Sequence, residues 1–111
     1  MRFQSLVICI VLFALVAKNE AQSRPINVTA PYVIEIANFA VTEYNKQIIT
    51  TAKLKFEEVI NGESRILKIG MIFYHLTLAA NNGSASNNYT TKVWDRPLEH
   101  SRGLLSFELD G

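Results

Sequence analysis

Few side chains in this sequence are of the kinds that make and break bonds. Its histidines are His75 and His100, and its one cysteine, Cys9, sits inside an apolar run near the N-terminus. His75 falls within a strand-like stretch, with no nucleophile at a spacing that would pair with it. The carboxylates of Glu57, Glu58 and Asp110 have neither the separation of a general acid and base nor the spacing of a metal cage. The chain is therefore not expected to be an enzyme, and it calls for no cofactor and no metal. What chemistry it offers is as an acceptor: Asn27-Val28-Thr29, Asn82-Gly83-Ser84 and Asn88-Tyr89-Thr90 are glycosylation triplets with a non-proline middle residue.

Those acceptors matter because residues 1–21 read as a secretory signal peptide. Arg2 is followed by the uncharged stretch Leu6 to Ala17, and Lys18, Asn19 and Glu20 close it. The stretch is 12 residues long, short of the roughly 17 to 25 that span a bilayer. Cleavage after Ala21, with Ala17 as the other small-residue candidate, leaves residues 22–111 as a single secreted domain with no membrane segment. Removing the leader also removes Cys9, so the remaining body has no disulfide available and must fold on its core alone.

The full chain has a formal net charge of +1, and the body after the leader is formally neutral. Nucleic acid is excluded as a partner for want of a basic footprint, and neutrality argues against electrostatic steering.

The elements follow from punctuation and period. Arg24 to Val28 reads as a short extended segment, and Thr29-Ala30-Pro31 opens a helix with proline at its first position. At about 100° per residue, Val33, Ile36, Ala37, Ala40, Val41, Tyr44 and Ile48 share one face, with Glu35, Asn38, Thr42, Asn45 and Lys46 opposite. From Lys53 the period becomes two, with Leu54, Phe56 and Val59 on the dry side. Asn61-Gly62 or the residues just after it turn the chain, Met71 to Ala80 forms a central strand, and Asn81 to Asn88 is a solvated loop. Tyr89 to Trp94 is a strand, Asp95-Arg96-Pro97 breaks it, and Gly103 to Leu109 is the last strand. The sum is an α+β fold, with one long helix packed on a curved antiparallel sheet of four to five strands.

Within that helix, Ile36 to Asn45 reads IANFAVTEYN. This resembles the helical signature of plant cystatins, Leu-Ala-Arg-Phe-Ala-Val-x-Glu-x-Asn, with Asn38 outside the usual choice. Arg24-Pro25-Ile26, Leu54-Lys55-Phe56, His75-Leu76-Thr77-Leu78 and Val93-Trp94 look like cystatin counterparts as well, so the resemblance runs from Arg24 to Phe107. It implies the cystatin fold and reversible, tight-binding inhibition of papain-like cysteine proteases by a monomer.

In that family a wedge of three pieces fills the protease cleft: a glycine-bearing N-terminal segment, a hairpin reading Gln-x-Val-x-Gly, and a second hairpin bearing Pro-Trp. By resemblance the corresponding residues here are Gln22 and Ser23; Arg65, Ile66, Leu67, Lys68, Ile69 and Gly70; and Pro97 and Leu98. Each piece departs from the pattern. Gln22 and Ser23 stand where glycine is usual, the first hairpin is one residue too long and begins with Arg65 in place of glutamine, and Leu98 replaces tryptophan. An extra hairpin residue changes the turn type or forces a bulge. At about 1 to 2 kcal/mol for each lost anchor, the departures imply inhibition weakened by about two to four orders of magnitude. They leave open a second reading, a cystatin-fold protein with another binding role or none.

Overall fold

The structure, a computed structural model, describes residues 23–49, 52–68 and 70–110. The expected signal segment, Gln22 and Ile69 lie outside the described residues. The chain runs β1 (Arg24–Pro25), α1 (Pro31–Gln47), β2 (Lys55–Lys68), β3 (Met71–Asn81), β4 (Ser86–Arg96), a 3-10 turn (Pro97–Glu99) and β5 (Ser101–Leu109). The strands form one antiparallel meander in the order β1-β2-β3-β4-β5, with α1 against one face.

The helix begins where the sequence places it. Asn27 folds the approach into an Asx turn, its Oδ1 accepting from the Thr29 N–H at 3.0 Å and the Thr29 hydroxyl at 2.8 Å. Pro31 then occupies the first turn, where its missing N–H costs nothing. Val33, Ile36, Ala37, Ala40 and Val41 are buried against Tyr74, Leu76, Leu78, Tyr89 and Val93 of the sheet. The alanines let the helix approach closely, and every methyl at this contact excludes water from both layers.

Asn45 departs from its expected place on the wet face. Its side chain crosses to the start of β2, donating from Nδ2 to the Leu54 carbonyl at 2.8 Å and accepting at Oδ1 from the Leu54 N–H at 2.9 Å. One amide thus satisfies both backbone groups of a residue that precedes the ladder. Beside it, the Lys53 ammonium donates to the carbonyls of Asn45 and Ile48, at 2.7 and 3.0 Å, at the negative end of the helix. Asn45→Ala strands both Leu54 groups and is expected to lower stability by about 2 kcal/mol, read as a shift of the urea midpoint with an unchanged slope.

Several sequence boundaries are corrected. Asn61-Gly62 does not turn the chain; both residues lie within β2, opposite Thr77 and Leu76. Glycine is needed there for another reason. A Cβ at position 62 would come within 2.7 Å of the His75 carbonyl oxygen and of Leu76 Cδ2. The polar run from Asn81 to Asn88 is mostly strand: Asn81 pairs with Ser86 and Ala79 with Asn88, leaving only residues 82–85 as the connection. Asp95 and Arg96 continue β4, opposite Arg102 and Ser101, and β1 is shorter than the Arg24–Val28 segment expected.

Register shifts between Phe56 and Glu58, between Val59 and Asn61 and between Ile66 and Lys68 bend β2, and another lies between Lys92 and Val93 in the β4–β5 pairing. Such bulges let a sheet curl around a helix. The first also explains how Phe56 and Val59, three apart, both reach the core. Buried Thr91 donates its hydroxyl to the Ser106 carbonyl at 2.8 Å beside the last shift, and no buried side-chain polar atom among the described residues lacks a partner. Among the described residues, no helix is long and apolar enough to cross a membrane.

Candidate functional site

The meander brings three chain segments to one end. Lys68 pairs with Met71 at the β2–β3 connection, and Arg96 pairs with Ser101 at the β4–β5 connection. Ile72 lies opposite both Ile66 and Asp95, so the two hairpin tips are neighbours across β3 and β4. β1 pairs Arg24 with Ser64 and Pro25 with Glu63, which directs the chain before Arg24, including exposed Ser23, toward the same end. Residues 82–85 turn at the opposite end.

In the first hairpin the extra residue becomes a bulge at Leu67, between the pairs Ile66–Ile72 and Lys68–Met71. Gly70 follows with φ of 81°, a left-handed conformation that glycine takes at little cost. Ile66 and Leu67 are exposed, as apolar groups at a binding tip must be. In the second hairpin, Pro97 opens the 3-10 turn and Leu98 stands 86% exposed at its apex. His100 closes that turn at φ 52°, its N–H donating to the Pro97 carbonyl at 3.2 Å. A non-glycine residue in this region costs about 1 kcal/mol, which the backbone bond closing the turn offsets.

The hairpin's ties to the helix centre on Arg102, which sequence reasoning missed. Its Nε donates to Asp95 Oδ1 at 3.0 Å and its terminal nitrogen to Glu35 Oε2 at 2.9 Å, while its guanidinium lies 5.7 Å from the centre of the Phe39 ring. The second hairpin is thereby tied to the helix through two residues of α1. Asp95 is only 5% exposed, so Arg102 supplies the partner that a buried carboxylate needs. Burial, followed by the nearby Tyr32 and Asp95, pushes the Tyr74 phenol up to about 12, with Arg102 opposing, so the phenol stays protonated at physiological pH.

On the outer face the register sets Arg65, Phe73, Trp94 and Gly103 in one row across four strands. The Arg65 guanidinium lies 5.3 Å from the Phe73 ring centre and that of Arg96 lies 5.9 Å from Trp94. Trp94 lies over Gly103, where a Cβ would sit 2.3 Å from its Nε1. Both hairpins are stiffened close to their tips, so they lose little freedom on binding.

A family model described as SQAPI, aspartic acid proteinase inhibitor, matches residues 26–109. Cysteine proteinase inhibitor 5 of Arabidopsis thaliana is 43% identical, over 92% of this chain and 82% of that protein. The chain belongs to the plant cystatin family. Other phytocystatin relatives include cysteine proteinase inhibitor 1 of Actinidia chinensis var. chinensis, 38% identical over 76% of this chain and 70% of that protein. Dimeric human cystatin F superposes with a TM-score of 0.70 at 12% identity, covering 82% of this chain and 87% of that one. The salivary cystatin of the soft tick Ornithodoros moubata gives 0.64 at 11% identity, covering 82% and 98%. The family consists of proteinase inhibitors, not enzymes, and among the described residues of this phytocystatin no group of acidic, histidine or cysteine side chains is arranged to hold a metal.

Proposed function

We propose that this phytocystatin is a secreted, monomeric inhibitor of papain-like cysteine proteases. The observation that carries the reading is the convergence of the segment before β1, the β2–β3 connection and the 3-10 turn at one end of the sheet, with Ile66, Leu67 and Leu98 projecting there. Such an edge fills a cleft without presenting a peptide bond to the thiolate, so it blocks rather than reacts. The Leu67 bulge alters the shape of the first tip and the leucine in place of tryptophan offers less area at the second, which supports a weakened grip. Secretion is supported by the leader's layout, with cleavage after Ala21 or Ala17.

The glycosylation triplets leave the edge clear. Asn82 and Asn88 lie by the opposite turn, and Asn27 follows β1 on the way to the helix. A glycan on Asn27 Nδ2 is compatible with both bonds that its Oδ1 accepts.

Purified residues 22–111 are expected to slow papain on a peptide substrate, with an inhibition constant in the micromolar range. A second reading is favoured by the description of the matched family model, whose span includes both altered hairpins: inhibition of an aspartic proteinase. Pepsin assayed in parallel separates the two. A flat titration against both enzymes would leave a cystatin fold with a non-inhibitory role.

A further inference from the structure

Formal neutrality conceals a segregation of charge. At the hairpin end, Arg24, Arg65, Lys68 and Arg96 surround the exposed apolar tips. Of the carboxylates at this end, Asp95 and Glu35 engage Arg102 and Glu99 engages Arg96 at 3.6 Å, which leaves Glu63, opposite Pro25, as the exposed acid set against the rim cations. Arg24, Arg65 and Lys68 have no carboxylate partner among the described residues. At the opposite end the balance reverses. Glu43, Glu57, Glu58, Glu108 and Asp110 gather near the β3–β4 turn, the end of β5 and the end of the helix, and outnumber Lys53, Lys55 and Lys46, the last of which is paired with Glu43. The principal-axis extents are 50, 33 and 24 Å. The long axis exceeds the Debye length of about 8 Å at physiological salt several-fold, so an approaching protein senses the two ends separately.

We propose that this basic rim selects papain-like proteases whose cleft walls carry acidic side chains, and orients the inhibitor tips-first during encounter. This builds on the inhibitory reading above and names the class of target. It also revises the expectation that a neutral body cannot be steered: neutrality removes the net attraction, not the torque or the local field at the edge. Rim charges act on association more than on dissociation, because they lie outside the desolvated centre of the contact.

The test measures association and dissociation rates of residues 22–111 with two active-site-blocked papain-like proteases, one with acidic and one with basic cleft walls, at 50 and 300 mM NaCl. Arg24→Glu/Lys68→Glu alters exposed side chains, and matched circular dichroism and melting show that the variant folds. The expected result is association with the acidic-walled enzyme that falls about fivefold with salt and about tenfold in the double variant, with dissociation changed less than threefold. Glu58→Gln, at the far end, should leave both rates within twofold. Equal rates for the two enzymes, with no salt dependence and no effect of reversal, would overturn the selection while leaving inhibition standing. Absence of binding to either enzyme would overturn the inhibitory reading and this inference with it.

Discussion

Arg102→Leu is expected to lower the stability of this protein by about 3 kcal/mol, toward the low end of what breaking a buried ion pair costs. The leucine retains the packing of the side-chain stem but leaves the Asp95 carboxylate without its ion-pair partner, and the Asp95 side chain is only 8% exposed. Arg102 itself is 25% exposed, and Glu35 is largely in solvent, so the Arg102–Glu35 pair contributes little of the loss. Denaturation monitored by Trp94 fluorescence gives the number. Arg102→Leu combined with Asp95→Asn removes the stranded charge, and should recover at least half of the loss. Recovery would assign the cost to an uncompensated carboxylate; an unchanged deficit would assign it to packing against Phe39.

The second large effect is a gain. Deleting Ile69 and changing Leu98→Trp should tighten inhibition of papain by about a hundredfold, from about 1 to 2 kcal/mol at each tip. The geometry says why the deletion matters. Five residues lie between the partners Ile66 and Ile72, and the odd count is accommodated by the bulge at Leu67. With four, Leu67 can pair directly with Met71 and leave Lys68-Gly70 as a two-residue turn, with glycine available for a left-handed backbone. At the other tip Leu98 has room for a larger side chain, being 86% exposed. Titration of papain with parent and repaired proteins decides the matter, and equal potency would mean that the altered tips are not what limits binding.

Much of the architecture was legible because the helix face and the strand alternation are periodic, and periodicity is a local property. Errors arose where a residue's role depends on something distant. Asn61-Gly62 has turn chemistry, yet its glycine answers the close approach of β3. Asn81 to Asn88 is too polar to form a core, but residues at the end of a hairpin need only backbone partners. Helical angle places Asn45 on the solvent side, whereas its side chain is long enough to reach around to Leu54. At the candidate site, resemblance points to the tip residues, and a bulge is one of the two outcomes that an extra hairpin residue allows. Arg102 had no such signal. Its partners Glu35, Phe39 and Asp95 lie in separate stretches of sequence, and only the fold assembles them.

The bulge at Leu67 has a consequence for how such a chain changes over generations. Because the pairing of Ile66 with Ile72 is kept while the surplus residue is taken up beyond it, a length change at the tip leaves the helix contacts, the Asn45 clasp and the rest of the ladder in place. A duplicated gene can therefore vary this tip, losing one target or acquiring another, without first passing through unfolded intermediates. Purifying selection would then act on two nearly disjoint sets of positions, one that keeps the product folded and one that decides what it holds.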